Sequence, residues 1–161
     1  MNYLKLRAFL ASRHFVIGFV IMLPTLVVAA AMYYGTRASA QDSIPERPGA
    51  IFMVTNTNDS GAGSLRQAII NANGNAGADT IVFSLGGAGV RTIAPLSDLP
   101  VISGPTFIDG ESQPDFVGSP LIELSGVNVP GGQAGFNIIA SGCRVRGLII
   151  NRFALGGILI F

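Results

Sequence analysis

The chain has 161 residues, 49% of them hydrophobic, with ten Lys and Arg against nine Asp and Glu, one His, one Cys and no Trp. Every Lys, His and Tyr (Lys5, His14, Tyr3, Tyr33, Tyr34) precedes residue 41; beyond it six arginines (Arg47, Arg66, Arg91, Arg144, Arg146, Arg152) stand against nine acids, leaving a net charge of −3. That larger part can build no Ser-His-Asp triad, no Ser-Lys dyad and no His-based zinc site. It offers no basic patch for nucleic acid, and with Cys143 alone it has no internal disulfide.

Lys5, Arg7 and Arg13 precede an apolar run over 15–34, and Ala38-Ser39-Ala40 then supplies the small residues that a signal peptidase reads. The pattern predicts an exported protein with a signal peptide over 1–40, cleaved after Ala40. The run is longer than the roughly 7–15 residues of a signal core and approaches the roughly 20 that span a bilayer, so an uncleaved N-terminal anchor is the alternative. In both cases the positive charges before the run place the remainder outside the cytoplasm. Residues 41–50, polar and carrying Pro45 and Pro48, read as a linker.

A strand over 51–56 and a turn over 58–63 lead to an amphipathic helix over 64–73. Ser64 stands three residues before Gln67, which predicts a capping box: the Ser64 hydroxyl accepts from the Gln67 N–H, and the Gln67 amide returns to the N–H of Ser64. The Ser64 half is worth about 1 kcal/mol. Leu65, Ala68, Ile69 and Ala72 recur on one face, and Asn73-Gly74 supplies the stop. A stripe this short must cover something, and in a chain of strands it reads as a cap on a β-structure.

The later apolar runs are too short for helices: 80–83, 91–93, 100–102, 106–108, 121–124, 136–139, 145–150 and 157–160. Turn material separates them, including Gly86-Gly87, Gly104-Pro105, Asp109-Gly110, Pro130-Gly131-Gly132 and Gly156-Gly157. The chain is expected to be all-β with one helix. Gly135-Phe136-Asn137-Ile138, Gly147-Leu148-Ile149-Ile150 and Gly157-Ile158-Leu159-Ile160 share the pattern Gly, apolar, any, Ile, at offsets of 12 and 10 that together make 22 residues. That is about the length of one solenoid coil. A β-sandwich would accept the short strands without requiring this spacing.

Phe52-Met53-Val54-Thr55-Asn56-Thr57-Asn58-Asp59-Ser60-Gly61, then Gly63-Ser64-Leu65-Arg66-Gln67-Ala68-Ile69, Ala72-Asn73 and Gly77-Ala78-Asp79-Thr80-Ile81-Val82-Phe83, resembles the start of bacterial secreted proteins with the CSLREA domain. Gly63 and Gln67 stand where that name spells Cys and Glu, as in GSLRQAI variants. The resemblance extends over 51–161 and implies a right-handed parallel β-helix with the helix as its N-terminal cap. It carries over no catalytic residue.

Three constellations invite a chemical reading. Asp109-Gly110-Glu111-Ser112-Gln113-Pro114-Asp115 could hold Ca²⁺ or an acid/base pair, or simply form a solvated corner loop. Arg144 and Arg146, two apart on a strand, would project outward together with Val145 inward. With Arg152 they could serve a polysaccharide lyase or, as a solubilising face, pair with Glu123. Asn151 suits an internal hydrogen-bonded ladder at a coil corner. Cys143 reads as a small buried apolar residue, and Asn58-Asp59-Ser60 as a chance glycosylation sequon.

The reading is an exported surface scaffold or adhesin-like passenger, with no catalytic, cofactor-binding or metal residue assigned. The alternatives are the N-terminal part of a carbohydrate-active β-helix enzyme, a lyase or hydrolase with catalytic coils beyond residue 161, and a membrane-tethered binding module. Expected contacts are with a cell surface or polysaccharide, with a membrane only through 15–34 if uncleaved, and not with nucleic acid. Because the chain stops inside the strand-like run 157–161, the β-helix is expected to be incomplete or to associate end to end.

Overall fold

The computed structural model describes residues 48–131 and 134–161. The leader, its cleavage site and most of the linker lie outside the described residues. The elements in chain order are β1 (Ile51–Val54), α1 (Leu65–Gly74), β2 (Asp79–Phe83), β3 (Arg91–Ile93), β4 (Thr106–Asp109), β5 (Ile122–Ser125), β6 (Ala134–Ile138), β7 (Arg144–Arg146), β8 (Leu148–Asn151) and β9 (Gly156–Ile160). Short 3-10 turns at Gly110–Ser112 and Gly126–Asn128 follow β4 and β5. Among the described residues no helix is long and apolar enough to cross a membrane.

The described strands form three sheets, ordered β1-β2-β4-β7, β3-β5-β8 and β6-β9, and every pairing is parallel. This is an all-β architecture. Parallel neighbours cannot be joined by a hairpin, so the chain must travel away and return before each pairing. It does so in rotation: β4, β5 and β6 enter the first, second and third sheets in turn, then β7, β8 and β9 do the same. The 22-residue spacing read from the glycine pattern is a pairing register, with Phe136 opposite Ile158 (136 to 158).

Within β2, Asp79, Ile81 and Phe83 are buried while Thr80 and Val82 are half-exposed, the period-two alternation of a strand with one face inward. Inward columns run across the sheets. Ile81 and Ile108 stack in register with Val145, and Ile93 and Leu124 with Ile150. Each fully buried Ile or Leu contributes about 1.5–3 kcal/mol by leaving water. α1 packs on β1 and β2, burying Leu65, Ala68, Ile69 and Ala72, the four residues of the expected stripe.

Three expectations are corrected. The run 145–150 is not one strand: Gly147 at φ 66 divides it into β7 and β8, which lie in different sheets. A Cβ at Gly147 would lie 2.6 Å from the Glu111 nitrogen, so glycine satisfies both the left-handed turn and the close approach of the neighbouring corner. The run 100–102 contributes only an isolated bridge, Ile102 to Ile138. The capping box is half formed. The Gln67 N–H donates to Ser64 Oγ at 3.2 Å, but the Gln67 amide donates instead to Asn71 Oδ1 at 2.9 Å. The Ser64 N–H is already taken by the Gly61 carbonyl at 3.2 Å, which leaves nothing for Gln67 to accept.

Candidate functional site

The 109–115 corner begins where β4 ends. Asp109 Oδ1 accepts from the Glu111 N–H at 3.2 Å and so caps the 3-10 turn. Ser112 Oγ accepts from the Phe83 N–H at 2.7 Å and donates to the Asp109 carbonyl at 2.5 Å. Gln113 is buried, and its amide exchanges two hydrogen bonds with one residue of the preceding layer. The Leu85 N–H donates to Oε1 at 2.9 Å, and Nε2 donates to the Leu85 carbonyl at 2.9 Å. The corner is a built joint between layers. Its polar side chains replace strand hydrogen bonds where the backbone turns away.

Each carboxylate of this corner has an arginine. Arg146 meets Asp109 through two bonds of 2.8 Å in the bidentate fork that suits a carboxylate, and reaches Glu111 at 3.3 Å. Arg91 meets Asp115 at 2.7 Å, while its other N–H groups donate to the carbonyls of Gly86, Gly87 and Gly89. The hydrogen bonds from Arg146 hold the Asp109 carboxyl below its ordinary range, and those from Arg91 and then Gln113 do the same for Asp115. A general acid needs a pKa near working pH; these two groups are moved the other way. Among the described residues no three His, Cys, Asp or Glu side chains converge as a metal set.

The three arginines singled out in the sequence have different surroundings. Arg152 pairs with Glu123 at 3.2 Å, as expected; Glu123 also accepts from Thr92 Oγ1 at 2.6 Å and Asn151 Nδ2 at 2.8 Å. These neighbours, Thr92 foremost, lower the Glu123 pKa. Arg146 pairs with the acidic corner and not with Glu123. Arg144 is exposed and, among the described residues, has no carboxylate partner; it lies over the Phe107 ring at 5.3 Å from the centroid, with Arg146 at 5.1 Å from the same ring. An exposed cation–π contact of this kind contributes about 0.5–1 kcal/mol.

Asn151 does not enter an asparagine ladder, because its register partner on β5 is Ser125. Among the described residues its buried Oδ1 has no hydrogen-bond partner. Cys143 is a half-buried free thiol packed against the core, and Asn58 is exposed in its turn. Two structural residues escaped the reading of the sequence. Gln113 is one; its only signal was its place beside Pro114 after an Asp-Gly turn. Arg66 is the other. It bonds the Asp59 carboxylate at 2.8 Å and the Ser97 and Asp98 carbonyls at 2.9 and 2.6 Å, tying the turn before α1 to the loop after β3.

No family model matches the chain, so the CSLREA resemblance rests on the residues quoted for it. No solved structure matches either. Among curated proteins, a probable pectate lyase C from Neosartorya fischeri is 34% identical over 88 residues, which are 55% of this chain and 19% of that protein. The chain therefore spans about a fifth of the length of this relative.

Proposed function

We propose that residues 51–161 form the helix-covered end of a right-handed parallel β-helix in an exported protein, serving as a surface scaffold that contacts carbohydrate and carries no reaction of its own. The observation behind this reading is the rotation of successive strands through three parallel sheets, with register steps from 22 residues (136 to 158) to 37 (107 to 144). A chain that returns to each sheet one layer further on winds as a coil, and parallel crossovers are right-handed with few exceptions. α1 supplies the cover that a solenoid end requires. The leader pattern supports export, and similarity to a probable pectate lyase supports an extracellular place and contact with carbohydrate. End-to-end association through the uncovered β7–β9 layer belongs to the same proposal.

That similarity also favours a second reading, in which the segment is the N-terminal part of a carbohydrate-active β-helix enzyme, a polysaccharide lyase or hydrolase. Asp109 and Asp115 are each engaged by an arginine, Arg146 and Arg91, and this supports the scaffold for the described residues. Incubation of the chain with polygalacturonate and with a neutral glucan, with and without Ca²⁺, tells a scaffold from a segment that reacts by itself, whereas an enzyme with its catalytic coils beyond residue 161 is tested on the longer protein. The scaffold yields no new reducing or unsaturated ends. Turnover abolished by Asp109→Asn or Asp115→Asn replaces it with the enzyme.

A further inference from the structure

We propose that the outer face of the β1-β2-β4-β7 sheet is a binding face for an acidic polysaccharide, with Arg144 on Phe107 as its carboxylate-reading element. This rests on the carbohydrate-contacting reading above and names its ligand class and place. Among the described residues, Arg66, Arg91, Arg146 and Arg152 each have a carboxylate within 3.3 Å, and Arg144 is the one arginine that has none. Its guanidinium is exposed and lies over the Phe107 ring at 5.3 Å from the centroid. A guanidinium over a ring face keeps N–H donors at its edge, and such a pair of donors suits a carboxylate through two parallel bonds. The acids nearest in the sheet do not compete for that role, since Asp109 and Glu111 are both engaged by Arg146.

The surroundings suit a sugar polymer. The register sets Ile51, Thr80, Phe107 and Arg144 side by side across the sheet, with Met53 and Val82 in the next row. Ile51 is 71% exposed and Met53 55%, so the β1 side of this face, three strands from Arg144, presents large apolar side chains to solvent. Adjacent strands lie about 4.8 Å apart, so this row extends roughly 14 Å from Ile51 to Arg144 as a flat strip. An acidic saccharide presents the two complementary features, carboxylates at intervals and C–H ring faces between them. The outward row of the second sheet differs. Thr92, Glu123 and Ile149 lie across the second sheet, and Glu123 there is fully engaged by Thr92, Asn151 and Arg152. A nucleic acid would need several cations along its phosphates, whereas this face offers Arg144 as its one arginine without a carboxylate among the described residues.

The test is binding of the full exported chain to immobilised polygalacturonate, to its methyl-esterified form and to a neutral glucan. The expected result is retention on polygalacturonate that weakens with added salt, falls about tenfold in Arg144→Gln, is partly kept in Arg144→Lys, and is unchanged in Arg152→Gln. Circular dichroism of the variants controls for folding. Equal binding by the parent chain and Arg144→Gln overturns the site while leaving carbohydrate contact intact. Binding to the esterified or neutral polymer as strong as to the acid form overturns the ligand class. Binding to none of the three overturns both this inference and the reading beneath it.

Discussion

At the α1 end and at the β7–β9 end the same apolar columns meet different fates. Leu65, Ala68, Ile69 and Ala72 close the first end, and behind them Val54, Ile81 and Phe83 have essentially no contact with solvent. At the other end Phe136 is 1% exposed but its register partner Ile158 is 39%, and Ile138 at 5% is followed by Ile160 at 78%. Val145, Leu148 and Ile150, last in their columns, are only partly buried. The chemistry of the residues is alike. What differs is whether a further layer lies over them, so burial in a parallel stack belongs to the neighbours of a residue as much as to the residue itself. The outer edges of β7, β8 and β9 likewise have no strand beside them among the described residues, and such edges invite pairing.

Charge at the two ends breaks the comparison most forcefully. Leu65→Asp or Ile69→Asp buries an unpaired carboxylate at a cost of several kcal/mol, so these variants are expected to lose the folded state in thermal melts. Ile160→Asp, at the open end, is expected to melt within about 0.5 kcal/mol of the parent. Similar losses at both ends would mean that the open layer is covered in solution. Truncation is the next largest effect: Ile108→Ala removes a mid-column side chain and should cost about 2–5 kcal/mol in denaturant titration, while Ile160→Ala should cost under about 1 kcal/mol. Sedimentation sharpens the contrast from the other side. The parent chain should associate as concentration rises, and Ile158→Asp should remain a monomer.

A smaller effect follows from acid. Asp59 beside α1 and Asp109 in the β4–β7 corner both have pKa values lowered from 3.8, by Arg66 and Arg146 respectively. Each group therefore binds its proton more readily in the unfolded chain. Its contribution to stability is whole above about pH 4 and is lost as pH falls through the lower folded value. Melting temperature against pH should decline in that acid window, with a shallower decline in Asp109→Asn. An unchanged slope in that variant would show that Arg146 contributes nothing through Asp109, as many exposed ion pairs do.

Local pattern made much of this legible in advance. The helix, its four inward residues and its Ser64 cap follow from spacing within ten residues, and the 22-residue step follows from the first and third of three glycine-led runs, which become the paired strands β6 and β9, while the middle run becomes β8 in another sheet. What escaped depends on contacts between layers, 26 (125 to 151) to 37 (109 to 146) positions apart. The split at Gly147 is set by the Gly110-Glu111 corner pressed against it. The partners of Arg146 follow from the register of β7 on β4, and periodicity within one strand contains no information about that register. Asn151 was read as a ladder residue from its corner position alone, yet the ladder depends on the neighbouring layer, which carries Ser125.

Gln113 has a consequence in time. Because its amide both accepts from and donates to Leu85, it stands in for a peptide unit of an adjacent strand, and the Leu85 amide proton should exchange with solvent as slowly as one inside a sheet. The substitution Gln113→Glu would turn the donor facing the Leu85 carbonyl into a second acceptor, leaving two oxygens opposed in a buried place and speeding that exchange. The exchange time of one backbone proton thus reports on a joint between two layers, held closed by a side chain only 3% exposed.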